Sequence, residues 1–150
     1  MTAVDTNVVV RLLTEDDPKQ AARARLVFGT GPVWIAKTVL LETAWVLRSA
    51  YKFEEGAIRE AFTGMLGLPQ VHAEDESCLA AALALMTHGL DFADALHLSS
   101  RPAGAAFVSF DEILVRRSKR VGIADVSGIR AKTEDVSAAP GSLRGGRLRL

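Results

Sequence analysis

Only one cysteine, Cys78, stands in the 150 residues, so no intramolecular disulfide can form. It lies in the run Cys78-Leu79-Ala80-Ala81-Ala82-Leu83, whose apolar character reads as a buried, inert thiol. Net charge is also lacking: 18 basic residues balance 18 acidic ones. That balance excludes the uniformly basic surface of a protein that grips nucleic acid by charge alone. Any handling of phosphates must then fall to local patches or to metal ions. No apolar stretch approaches the ~20 residues that a membrane-spanning helix requires. The opening Met1-Thr2-Ala3-Val4-Asp5 has neither the basic start nor the apolar core of a secretion signal, so a cytoplasmic location and no membrane contact are expected. Zinc-ligand spacing is missing as well. His72, His88 and His97 stand apart and read as helix-end, surface or packing residues. No phosphate-binding glycine loop, nucleophile elbow or catalytic triad is present, and no internal repeat.

What the chain does have is a large apolar fraction, 49%, enough to fill the core of one domain of ordinary size. Short apolar runs at 3–5, 33–36, 70–73, 105–110 and 123–126 predict strands, the first of them buried from its start. Residues 8–13 continue the first strand or turn into a short helix, and periodicity leaves both open. Helices are predicted over 19–28, after the acidic cap and early proline of Asp16-Asp17-Pro18, and over 39–51, with Thr38 as N-cap. Further helices are expected over 54–66, from 74 or 75 to 88, over 91–100 and over 111–119. Strands alternate with helices, and the strands are continuously apolar. That pattern predicts a single α/β domain over 1–128, a twisted parallel sheet flanked by helices on both faces. Apolar periodicity fades after about Gly128, and 129–150 is expected to be a flexible tail.

Ligands of an open parallel sheet gather at the carboxyl ends of its strands, so the residues that follow each strand matter most. Asp5 ends the first run, and Asp111 follows the run 105–110. Burying either carboxylate without a partner would be costly, and a metal ion is a suitable partner. Glu42 is embedded in Val39-Leu40-Leu41-Glu42-Thr43-Ala44-Trp45-Val46, on a largely apolar helix face where a solvated role is not expected. Asp91 and Asp94 are three apart and share one helix face, with Asp91 suited either to capping that helix or to the metal. No lysine or arginine is interleaved with these acids to pair them. Their oxygen donors suit a hard divalent cation such as Mg2+, which keeps several waters and shares its coordination with phosphates. Such an ion lowers the pKa of bound water and neutralises charge in phosphoryl transfer, so no side-chain nucleophile is needed.

The segments Val4-Asp5-Thr6-Asn7, the helical Glu42, Asp91-Phe92-Ala93-Asp94-Ala95-Leu96 and Val108-Ser109-Phe110-Asp111 resemble, in order, the four acidic motifs of the PIN-domain family. Their spacing and the chain length are similar to those of VapC toxins from bacterial toxin–antitoxin systems, and the resemblance covers about residues 2–126. It implies a Mg2+- or Mn2+-dependent endoribonuclease with Asp5, Glu42, Asp94 and Asp111 as the catalytic, metal-binding acids. Asp91 is then an optional fifth acid. Thr6, Asn7 and Ser109 match polar positions that orient the cluster. The resemblance also implies an RNA substrate, a VapB-like antitoxin partner and a homodimer. Arg116, Arg117, Lys119 and Arg120 form the densest basic cluster and fit either RNA phosphates or the negative end of a helix dipole. Two other readings stay open: a catalytically silent PIN-like binding module, and a nuclease directed at single-stranded DNA.

Overall fold

A computed structural model describes residues 1–129, so the expected tail lies, beyond Ile129, outside the described residues. The chain runs β1 (Thr2–Ala3), α1 (Thr6–Thr14), α2 (Pro18–Thr30), β2 (Val33–Ile35), α3 (Lys37–Ser49), α4 (Glu55–Leu66), β3 (Val71–Ala73), α5 (Glu76–Met86), α6 (Phe92–Ser100), β4 (Phe107–Ser109), α7 (Glu112–Arg120) and β5 (Val126–Gly128). This is an α/β domain whose paired strands all run parallel. They form two ladders, one in the order β1-β2-β3 and one pairing β4 with β5. Val33 of β2 lies opposite Thr2 on one side and Val71 on the other, so β2 is the central strand of its ladder.

The open choice over residues 8–13 resolves to helix. Asp5 has extended backbone angles, and its carboxylate accepts from the Val8 N–H at 3.0 Å, satisfying one of the free donors of the first turn. The chain therefore leaves β1 at Ala3 rather than at Asp5, and β1 itself is exposed rather than buried. Asp17 caps α2 through bonds from the Lys19 and Gln20 N–H groups, both at 3.0 Å, with Pro18 just inside the helix.

Thr38 is not the cap of α3. The helix begins at Lys37 after Ala36, which has no capping side chain. The Lys37 N–H is satisfied instead by the Glu74 carboxylate at 3.0 Å, reaching across from the end of β3. The last strand also lies later than expected, at Val126–Gly128. Gly122 and Asp125 both take positive φ, and the Ile123 N–H bonds to the Ser118 carbonyl at 3.0 Å. Residues 121–125 are thus spent on the turn that brings the chain back alongside β4.

The core gathers Val33 and Ile35 of β2, Leu40 and Leu47 of α3, Ile58 and Phe62 of α4, Leu79 of α5, and Phe92 with Leu96 of α6. Phe62 and Phe92 meet edge to face, with ring centroids 4.9 Å apart. Cys78 is buried as expected, its Sγ 3.2 Å from Ser100 Oγ. α3 packs on α1, α4 and α6, so whatever its outer face carries stands between the segment after β1 and the start of α6. No helix among the described residues is long and apolar enough to cross a membrane.

Candidate active site

Asp5 and Asp111 do the same local job. Each follows a strand and caps the next helix: Asp111 accepts from the Ile113 N–H at 2.8 Å and the Leu114 N–H at 3.0 Å. Capping leaves the second oxygen of each carboxylate free for another role. Both residues are exposed, so the expected cost of burying them does not arise. Ser109 Oγ accepts from the Asp111 N–H at 3.0 Å, a local turn bond that fixes the approach to the cap.

Glu42 also differs from expectation in being exposed. The apolar neighbours that argued for burial do not all face the core: Trp45, one turn further on, is 70% exposed. Glu42 is nevertheless held, because the buried Thr6 donates its hydroxyl to Glu42 Oε2 at 2.5 Å. This bond ties the start of α1 to α3. The two acids share a cavity of about 320 Å³ with Thr6, Asn7 and Arg11. Arg11 is drawn to Asp16, whose carboxyl is held well below the usual range by bonds from Tyr51 and from Arg11 itself.

Glu42 borders a second cavity as well, of about 450 Å³, together with Trp45, Arg48, Asp91 and His97. Asp91 is the N-cap of α6, accepting from the Asp94 N–H at 2.8 Å. It is also ion-paired, with Arg48 at 3.1 Å from both Asp91 and Glu55. Neither Arg48 nor Glu55 was picked out by sequence reasoning, since they lie 43 and 36 residues before Asp91 in the chain. Asp94 is only partly exposed. Burial pushes its carboxyl pKa up, and the nearby charges of Asp91 and Asp111 push it further, against the opposing pull of His97 and Arg117. The structure thus brings Asp91, Asp94 and Asp111 near one another and Asp5 next to Glu42, with Glu42 the link between the cavities.

Not every acid at this edge is free. Glu74 and Asp75 follow β3, but Glu74 caps α3, and Asp75 caps α5 while pairing with Lys37 at 3.3 Å. Among the described residues, no three Asp, Glu, His or Cys side chains converge closely enough to surround one ion. Magnesium does not require such a trio, because it is commonly bound by one or two carboxylates and fills its shell with waters and phosphate oxygens. The donors here are all oxygens, and Asp94 carries carboxylate crowding that a cation would relieve. The residues fit a hard divalent ion on those grounds.

The basic cluster separates into parts with different surroundings. Arg117 donates to the Gly89 carbonyl at 2.6 Å and so braces the loop before α6. Arg116 and Lys119 border a third cavity, of about 480 Å³, beside Ser109 and Phe110. Arg120 is exposed at the helix end.

Parallel strands that deliver acids to helix caps at their carboxyl ends place those acids where the ligands of open α/β sheets bind. The PIN domain family model matches residues 2–120, and the chain belongs to that family. PIN domains are typically metal-dependent nucleases, and nucleic acid is their usual substrate. No curated protein matches the chain.

Proposed function

We propose that the chain is a Mg2+- or Mn2+-dependent endoribonuclease of the VapC toxin type, with Asp5, Glu42, Asp94 and Asp111 as its catalytic acids. The observation that carries this reading is the state of Asp94, a partly buried carboxylate crowded by Asp91 and Asp111, with Arg48 engaged elsewhere by Glu55 and Asp91. Such crowding costs stability in the metal-free protein and serves a purpose where a cation is to be held.

In this reading one or two of Asp5, Glu42, Asp94 and Asp111 would bind a divalent ion directly and the others would hold its waters; when bound it would supply an activated water and neutralise phosphate charge. Thr6 fixes the Glu42 carboxylate, Asn7 supplies an amide beside Asp5, and Ser109 sets the turn before Asp111. Asp91 keeps α6 in register and positions Asp94 through its backbone N–H. A VapB-like antitoxin restrains the enzyme, which acts as a homodimer in the cytoplasm.

The test incubates the full chain with a mixed RNA pool and Mg2+, beside EDTA and a single-stranded DNA control. Discrete RNA fragments that disappear with EDTA are expected. Cleavage of the DNA alone would redirect the reading to a DNA nuclease. A folded chain that cuts neither substrate with Mg2+ or Mn2+ would make it a silent binding module.

A further inference from the structure

Phe110 is 81% exposed, the most exposed large apolar side chain of the described residues. Its backbone is also firmly placed. The residue before it ends β4, and the residue after it caps α7; the Asp111 N–H to Ser109 Oγ bond spans it at 3.0 Å. A ring presented to solvent on a turn tied at both ends has its point of attachment fixed, which lowers part of the ordering cost of a contact. Arg116 and Lys119 rise one to two turns along α7 and line the same cavity of about 480 Å³, where their two charges outnumber the one acid of the lining, Glu112. Among the described residues neither makes an ion pair, whereas Arg117 is taken by Gly89. An aromatic face with two cations beside it is the pairing that single-stranded nucleic acid selects. The ring takes the face of a base, and the cations take the phosphates on either side.

We propose that this β4–α7 cavity is the subsite for an unpaired nucleotide next to the cleaved bond, with Phe110 stacking on the base and Arg116 and Lys119 holding its phosphates. The inference rests on the nuclease reading of the neighbouring acids and adds the residues that would hold the strand beside them. Phe110 adjoins Asp111 in the chain, so a base on its ring leads the strand to the acids. A paired base has both faces covered and cannot use the ring, so duplex is disfavoured at this subsite. Arg117 belongs to the scaffold rather than to the subsite.

The experiment measures binding of a fluorescein-labelled single-stranded RNA 12-mer by anisotropy. The full chain carries Asp94→Asn so that the probe stays intact, and a duplex of the same length is run beside it. Phe110→Leu, which keeps an apolar side chain but removes the aromatic face, is expected to weaken single-strand binding by roughly tenfold. Phe110→Trp is expected to bind at least as well as the parent, and duplex binding to be indifferent to either change. Arg116→Ala and Lys119→Ala are each expected to lower the log–log salt slope by about 0.7, the loss of one phosphate contact. Phe110, Arg116 and Lys119 are all exposed, so these variants are expected to fold, as circular dichroism will verify. Phe110→Leu binding the single strand as the parent does, or no binding by the parent, overturns the proposal. So does a Phe110 variant that shifts the oligomeric mass while RNA affinity stays unchanged, which marks a protein contact instead. Cleavage by the unmutated chain is scored separately: cleavage without dependence on the Phe110 ring defeats the subsite and leaves the nuclease standing.

Discussion

Thr6→Val isolates one hydrogen bond. Valine keeps the branched shape and nearly the volume of threonine, so the buried side chain stays packed while the hydroxyl that bonds Glu42 Oε2 at 2.5 Å is lost. A bond to a charged acceptor contributes about 1.5–3 kcal/mol. Glu42 is exposed, so water replaces part of that bond in the folded protein. The lower end, about 1.5 kcal/mol, is therefore the right scale, and one decade in rate corresponds to about 1.36 kcal/mol. If Thr6 holds Glu42 where the reaction needs it, kcat/KM for RNA cleavage falls about tenfold. The melting temperature falls by no more than about 6 °C, the shift that about 1.5 kcal/mol gives in a domain of this size. Thr6→Ser keeps the donor and retains most of the activity. The assay is initial-rate cleavage at saturating Mg2+ with thermal denaturation alongside. An unchanged rate in Thr6→Val would refute the argument, as would a rate that falls equally in Thr6→Ser.

Phe62→Ala removes a fully buried ring and its edge contact with Phe92, and is expected to cost about 3–5 kcal/mol by urea denaturation; a loss under about 1 kcal/mol would mean the core is looser than described. Asp16 has its folded pKa depressed by Tyr51 and Arg11, so its contribution is present above the ordinary Asp value of about 3.9 and is lost as pH falls through the folded value. The melting-temperature gap between wild type and Asp16→Asn should therefore be open near neutrality and close in acid; a gap that does not vary with pH would contradict the pairing. Asp94 has the opposite sign. Its folded pKa is raised, so the metal-free protein is destabilised by its charge at neutral pH and recovers as pH falls through that value. Asp94→Asn should melt higher than wild type in EDTA at pH 7, with the difference vanishing in acid, and a lower melting temperature would identify Asp94 as a structural acid.

The parts of this fold that were legible in the sequence are those fixed by neighbours a few residues away. Asp17 followed by Pro18 announces the start of α2 because the cap, the fixed proline angle and the first turn are all local. The short apolar runs 33–36 and 105–110 announce strands for the same reason, and the strands lie within them at Val33–Ile35 and Phe107–Ser109. The start of α3 was illegible, because its first N–H is bonded by Glu74, 37 residues downstream. Likewise the Phe92 N–H is bonded by Glu55 at 3.3 Å, from another helix. Apolar neighbours on a helix made Glu42 read as shielded, yet Trp45 on the same helix is largely in solvent, since an apolar side chain need not be buried. Asp5 and Asp111 were legible as acids that follow apolar runs, and Glu42 and Asp94 as acids on apolar helices. Arg48 was not, because only the packing of α3 on α6 brings it to Asp91.

In the proposed reaction four acids from four elements serve one metal-dependent cleavage. The most direct test is the Mg2+-dependent cleavage rate of the full chain beside Asp5→Asn, Glu42→Gln, Asp94→Asn and Asp111→Asn, each verified as folded by circular dichroism. Every one of the four is expected to lose on the order of a hundredfold or more in rate while remaining folded. A folded variant among them that cuts RNA at the wild-type rate would contradict the proposed reaction.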